Sequence, residues 1–378
     1  MIKGTNGYIP GLAGVVAAQT KLSHVDGQNG ELIIAGFPVA ELAQRASFEE
    51  VVYLLWHDRL PTYDELGAFA AELASLRPLP SATLSLLQKI SAKTVPPMDA
   101  LRMAASTLSL DLTDDQQAAM ALVARLPTVV AAYWRLRHGL SPIKPNPELS
   151  HAANYLYMLT NEIPDAALTR GLETYLNTVV DHGLNASTFA ARVIVATGSD
   201  MVSAVTGAIG ALKGPLHGGA PGPALAMVFE IGTIERAESY MRAKLERGER
   251  LMGFGHRVYK VRDPRAQILG LAAEKMFRAA GDMALYELAK GVESTAVALL
   301  AEYKPGRNLQ TNVEFYTALL LHGLGLETEI FTPTFAIGRV AGWLGHCLEQ
   351  QREGRIIRPL SQYTGEMMRP WQPPEQRQ

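Results

Sequence analysis

The run Met201-Val202-Ser203-Ala204-Val205-Thr206-Gly207-Ala208-Ile209-Gly210-Ala211-Leu212 constrains the fold more than any other stretch. Its apolar residues circle more than one face of a helix, so it must be covered on several sides, and its small residues let another helix come close. That demands a packed multilayer helical core or a subunit interface, and the neighbouring sequence is suited to build one. Ser47-Phe48-Glu49-Glu50 and Thr62-Tyr63-Asp64-Glu65 read as capping boxes, each opening a helix, with Pro61 between them. Further helices are expected at about 98–110, 114–139 with Pro127 as a kink site, 151–160, 165–181, 184–197 and 200–212. The one convincing strand pair lies near the start. Thr20–Val25 and Glu31–Phe37 flank Asp26-Gly27-Gln28-Asn29-Gly30, and Asp-Gly and Asn-Gly between β-friendly runs mark a hairpin. The fold class is therefore all-α with a small N-terminal β-hairpin.

From Glu235 to Glu249 the composition turns charged and amphipathic, and it stays solvated to about Tyr303 before apolar helix resumes at Phe315–Leu326 and Phe335–Leu348. This pattern predicts a smaller domain set into a larger one: residues 1–215 begin the large domain, 216–325 form the small one, and 326–378 complete the large domain with an extended tail. At 378 residues and 48% hydrophobic content the chain can bury such a core. With 35 basic and 37 acidic residues the formal net charge is −2, which gives no general affinity for nucleic acid or anionic membrane. Any anionic ligand must then be held by local arginines. The single cysteine, Cys347, rules out an internal disulfide framework and a cysteine-based zinc site. No leader or membrane-spanning run is read, so the cytoplasm is the expected compartment.

Four stretches carry residues suited to chemistry. Lys213-Gly214-Pro215-Leu216-His217-Gly218-Gly219-Ala220-Pro221-Gly222 presents one histidine on a stiff, open turn just before a new helix at Ala224–Glu230. The positive end of that helix would keep the imidazole neutral and able to donate one hydrogen bond. A glycine-rich connector with an incidental histidine fits the decapeptide equally well. Asp181-His182-Gly183-Leu184-Asn185-Ala186-Ser187 places a second histidine at a helix break, where Asn185 or Ser187 also serves as a cap and His182 as a core residue. Met252-Gly253-Phe254-Gly255-His256-Arg257-Val258-Tyr259-Lys260 frees the backbone before a third histidine, and Asp263-Pro264 then starts a helix with Arg265 in its first turn. A cation there opposes the helix dipole and hints at an anionic ligand.

The fourth stretch, Asn312-Val313-Glu314-Phe315-Tyr316, is a helix start with a carboxylate in the first turn; Arg339 and Arg358 follow. Read singly, Glu314 is a favourable first-turn charge and Arg339 an interface ion pair. Together the pieces ask for one chemistry: neutral imidazoles polarise carbonyl oxygens, a carboxylate takes a proton from carbon, and arginines clamp a dicarboxylate. A carbon acid and a carbonyl acceptor make an aldol- or Claisen-type condensation. No two histidines fall at i, i+3 or i+4, so no metal site is expected.

These motifs, in this order from the hairpin to about Gly365, resemble those of the citrate synthase family. The resemblance implies a nearly all-helical homodimer that closes on oxaloacetate and then condenses it with acetyl-CoA, without a cofactor. By position it implies that His217 donates to the thioester carbonyl, that Glu314 removes the methyl proton and that His256 polarises the ketone. It implies oxaloacetate binding by His182, His217, His256, Arg265, Arg339 and Arg358, the last reaching the partner subunit's site. For CoA it implies Gly253, Phe254 and Gly255, with Lys260 and Lys304 as phosphate contacts. The chain departs from the family where the usual aspartate of Asn-Val-Asp is Glu314, and where Ala-Asn-Glu after Gly219 is Ala220-Pro221-Gly222. It is most similar to the short bacterial members that share both changes, and the long NADH-regulated type is not expected. Propionyl-CoA in a 2-methylcitrate synthase, or a CoA-thioester-binding paralogue without catalysis, fits the same motifs.

Overall fold

The computed structural model describes residues 7–108, 114–218 and 221–377. A three-stranded antiparallel sheet comes first: β1 (Ser23–Asp26), β2 (Glu31–Ile34) and β3 (Phe37–Pro38), in that spatial order. The hairpin is as expected, with Ser23 opposite Ile34 and Asp26 opposite Glu31. The second strand was expected to run on to Phe37. It breaks instead at Ala35 and Gly36, whose φ values of 44° and 87° turn the chain back into β3.

Sixteen α-helices follow among the described residues. Those of the first half are α1 (Val39–Arg45), α2 (Phe48–His57), α3 (Tyr63–Ser75), α4 (Ser81–Ser91), α5 (Pro97–Thr107), α6 (Asp115–Arg137), α7 (His151–Thr160) and α8 (Ala166–Val179). The rest are α9 (Ala186–Val195), α10 (Met201–Leu212), α11 (Pro221–Ile231), α12 (Ile234–Glu246), α13 (Pro264–Ala280), α14 (Ala284–Tyr303), α15 (Val313–Gly323) and α16 (Phe331–Glu353). Both capping boxes form: the Ser47 and Thr62 side chains accept from the Glu50 and Glu65 N–H groups, and each glutamate accepts from the cap's own N–H. α6 continues through Pro127, which is buried within it. The end expected for α5 at 109–110 lies outside the described residues.

The run that opened the sequence reading is α10, and it is covered on several sides. It packs on α9, α5, α16 and α6, with Met201, Val205, Ile209 and Leu212 buried. A Cβ at Gly207 would meet Ile194 Cδ1 at 2.2 Å, so the small residue is what lets α9 lie this close. α16 also runs through the core, with Trp343, Leu344 and Cys347 buried. A Cβ at its Gly342 would come within 2.2 Å of the Val180 carbonyl oxygen. That contact presses α16 against residues 180–181, just ahead of His182. α8 ends at Val179 and α9 begins at Ala186, both shorter than the periodicity suggested, so the segment carrying His182 is a turn.

Candidate active site

His217 makes an unexpected contact with helix α9. The helix expected to polarise it was the one that follows, yet its Nε2 lies 3.3 Å from the Ser187 N–H and 2.8 Å from Ser187 Oγ. Ser187 is in the first turn of α9, which Asn185 caps by accepting from the Thr188 N–H at 3.1 Å. A main-chain N–H can only donate, so Nε2 carries the lone pair and the ring's one proton sits on Nδ1. Burial, reinforced by the Arg339 guanidinium, pushes the ring down to about 4. His217 is therefore a neutral Nδ1–H donor across the physiological range. The Ser187 hydroxyl is held in turn by the Trp343 indole N–H at 3.0 Å and by Asn185 Oδ1 at 2.8 Å. Ser187 thus orients the ring as well as opening α9. Gly218 fixes the turn by accepting from Thr332 Oγ1 at 2.8 Å. Gly219 and Ala220 lie outside the described residues.

His256 is fixed by the same logic with the nitrogens exchanged. The main-chain N–H groups of Val258 and Tyr259 both donate to Nδ1 at 3.1 Å, whereas Arg265 Nη2 lies 3.5 Å from Nε2, so the two shorter bonds put the proton of the neutral ring on Nε2. Burial first, and then Arg265, lowers this ring to about 4. Arg265 opposes the dipole of α13, but the compensation is internal. The Asp263 cap carboxylate accepts from its Nε at 3.0 Å and Nη2 at 2.8 Å, and also from the Arg265 N–H. The placement alone therefore does not call for an external anion. Asp263 Oδ2 accepts from the Val313 N–H as well, at 3.3 Å, which joins the start of α13 to the start of α15.

Glu314 stands in that first turn of α15, its N–H donating to Asn312 Oδ1 at 3.0 Å. Its carboxylate accepts no hydrogen bond from the described residues. Burial raises it to about 7, against the pull of Arg265 and Arg339. Arg339 is 2% exposed and donates Nε to the Val179 carbonyl at 2.6 Å, with its guanidinium 4.8 Å from the Phe335 ring centre. It forms no ion pair among the described residues, and burial lowers it to about 10, so it remains a cation without a carboxylate partner. His182 completes the group. Its ring centre is 5.9 Å from that of His256, its Nε2 is 3.1 Å from Tyr259 Oη, and burial with Arg265 and Arg339 holds it well below its usual range.

The glycine loop is tied to the start of α15. Gly255 N–H donates to Gln310 O at 2.7 Å, Asn312 N–H to Gly253 O at 3.0 Å and Asn312 Nδ2 to Gly255 O at 2.8 Å. Gly253 has φ +88°, and a Cβ there would sit 2.9 Å from Phe315 Cβ, so this approach needs glycine. A cleft of about 510 Å³ opens beside the loop, lined by Gly253, Phe254, Gly255 and His256, and also by Lys304. Arg250, Arg257 and Arg307, which the sequence had not singled out, line it too. Lys260 is not among the lining residues; its Nζ donates to the Arg257 carbonyl at 3.2 Å. Arg358 is exposed in the segment after α16 and makes no hydrogen bond or ion pair among the described residues. Nor do Glu314 and His217 share a hydrogen bond among the described residues. Among the described residues no group of three His, Cys, Asp or Glu side chains could hold a metal ion, and no helix is long and apolar enough to cross a membrane.

Two neutral imidazole donors, a carboxylate that ionises near neutrality and a buried guanidinium without a carboxylate partner among the described residues are the kinds of group that joining a carbon acid to a carbonyl acceptor requires. Residues 11–360 match the family described as citrate synthase, C-terminal domain. The chain is 43% identical over 368 residues to the citrate synthase of Haloferax volcanii, covering 94% of this chain and 95% of that one. It is 40% identical over 365 residues to the 2-methylcitrate synthase of Mycobacterium tuberculosis, covering 95% and 91%. Its structure superposes with a TM-score of 0.86 and 29% identity on Thermoplasma acidophilum citrate synthase, solved as a ternary complex with carboxymethyl coenzyme A and oxaloacetate, covering 96% of this chain and 98% of that one. The chain belongs to the citrate synthase family, whose members condense acetyl-CoA with oxaloacetate.

Proposed function

We propose that this chain joins the acyl group of acetyl-CoA to oxaloacetate and hydrolyses the citryl-CoA formed, with Glu314, His217 and His256 as the catalytic groups. Glu314 takes a proton from the thioester methyl group while His217 Nδ1–H donates to the thioester oxygen. The enol carbon then attacks the ketone carbon of oxaloacetate, and His256 Nε2–H donates to the ketone oxygen. Water cleaves the thioester, releasing CoA and citrate. His182, Arg265, Arg339 and Arg358 hold the oxaloacetate carboxylates. The observation that carries this reading is the pair of opposite tautomers: main-chain N–H groups leave Nδ1–H on His217 and Nε2–H on His256, so each ring has one donor for one developing oxyanion. The nucleotide of CoA is placed in the cleft beside Gly253–Gly255, where Lys304 stands with three arginines. Lys260 has the weaker claim.

Propionyl-CoA is the alternative acyl donor, because a relative named 2-methylcitrate synthase matches at 40% identity beside one named citrate synthase at 43%. Thiol release from each thioester with oxaloacetate decides between the two: a higher kcat/KM with acetyl-CoA supports citrate synthase, and a higher one with propionyl-CoA supports 2-methylcitrate synthase. Release from neither, with both ligands bound, identifies a non-catalytic paralogue. We further propose a cytoplasmic homodimer with a small domain at 216–325. Exposed Ile356, Leu360, Tyr363, Met368 and Trp371 beside exposed Arg358 support a C-terminal segment that lies on a second copy. Sedimentation at assay concentration tests this, and an active monomer would refute it.

A further inference from the structure

One side chain to which no motif assigned a role touches three of the six residues assigned to oxaloacetate. Tyr259 is 3% exposed, and its main-chain N–H is one of the two donors to His256 Nδ1. Its ring centre lies 5.0 Å from that of His256, and the Arg265 guanidinium stands 5.7 Å from the same ring centre. Its hydroxyl is 3.1 Å from His182 Nε2 and has no other partner among the described residues. Leucine or phenylalanine would fill this volume without carrying a polar atom into it. A buried phenol needs its hydrogen bond, and here the bond goes to a histidine that faces His256.

We propose that Tyr259 is a positioning residue for oxaloacetate, its hydroxyl fixing the His182 ring while its main chain fixes His256. The inference rests on the assignment of those two histidines to oxaloacetate made above. Two imidazoles on separate turns, 183 and 257 being the next residues of each, are thereby set by one side chain and its own backbone. Burial keeps the phenol protonated, so the hydroxyl retains its proton for His182 throughout the working pH range. The Arg265 guanidinium over the ring adds a cation–π contact that steadies the third group.

Tyr259→Phe removes only the hydroxyl and leaves the ring, the cation–π contact and the main-chain bond to His256. The KM for oxaloacetate should rise about 5-fold, as for loss of one hydrogen bond, with kcat and the acyl-CoA KM within about 2-fold of wild type. In a His182→Ala background the same change should have no further effect on oxaloacetate KM, because the partner has gone. Calorimetric titration of oxaloacetate gives the same comparison without turnover. An unchanged oxaloacetate KM and affinity in Tyr259→Phe overturns the proposal, and so does an undiminished effect in the His182→Ala background, which would mark a merely structural role. If the wild-type protein neither binds nor consumes oxaloacetate, the functional reading fails and this inference fails with it. A normal wild type beside an unaffected Phe variant sinks the inference alone.

Discussion

Replacing Glu314 by glutamine should stabilise the unliganded protein while abolishing its chemistry. Burial lifts the carboxyl from its ordinary 4.5 to about 7, and the nearby arginines recover only part of that cost. In the unfolded chain the group ionises near 4.5, so between about pH 4.5 and 7 the folded protein holds a proton that the unfolded chain has released. Stability therefore falls as pH rises through that window, and above it the ionised carboxylate costs the folded state about 3 kcal/mol. Glutamine has nearly the same shape and never ionises. Urea unfolding of wild type and Glu314→Gln, without ligands, should show the variant more stable by up to about 3 kcal/mol at pH 8 and by almost nothing at pH 4.5. A difference that is the same at both pH values would refute the burial argument, as would a variant that is the less stable one at pH 8.

The same ionisation should govern catalysis: kcat/KM for the acyl-CoA should fall about tenfold per pH unit below about 7, and the histidines, already neutral there, should add no second step down to pH 5. A pH–rate profile with a further inflection near 6 would contradict the histidine assignments. Gly27→Ala tests the hairpin, since a Cβ there would lie 2.3 Å from the Val258 carbonyl oxygen and push the loop that carries His256. Steady-state kinetics should show oxaloacetate KM and kcat impaired by about 100-fold together. Ser187→Ala leaves the buried Trp343 N–H without its acceptor and frees the His217 ring. Unfolding measurements should show a loss of about 1–3 kcal/mol, and assays at saturating substrate should show a lowered kcat.

The helical architecture was legible because α10 is apolar on more than one face and because the Ser47 and Thr62 boxes mark helix starts by local chemistry. α4 escaped notice. It begins after Pro80 with no side-chain cap, and Thr83 interrupts the apolar face it shares with Leu87. The candidate site was legible as a set of residues, since glycines and caps around His217, His256, Arg265 and Glu314 are local signals. Partners distant in sequence were not. That His217 is polarised by α9, 30 positions earlier, depends on how two helices pack. Asp263 neutralising Arg265 was within reach, being the cap of the same helix, but a cap and a counter-ion look alike in sequence. The hairpin was read as a structural element only. Its turn accepts the Lys260 N–H at the Gly27 carbonyl, 2.8 Å away, and Ser23 Oγ donates to Asp181 beside His182, so it touches the chain next to two of the three histidines.

The most direct test of the account is turnover by Glu314→Ala, measured as thiol release from acetyl-CoA and propionyl-CoA with saturating oxaloacetate. Wild type should release thiol from at least one thioester, and the variant should lose about 100-fold or more in kcat while still binding oxaloacetate. A variant that keeps full turnover would contradict the assignment of Glu314 as the base that makes the carbon nucleophile.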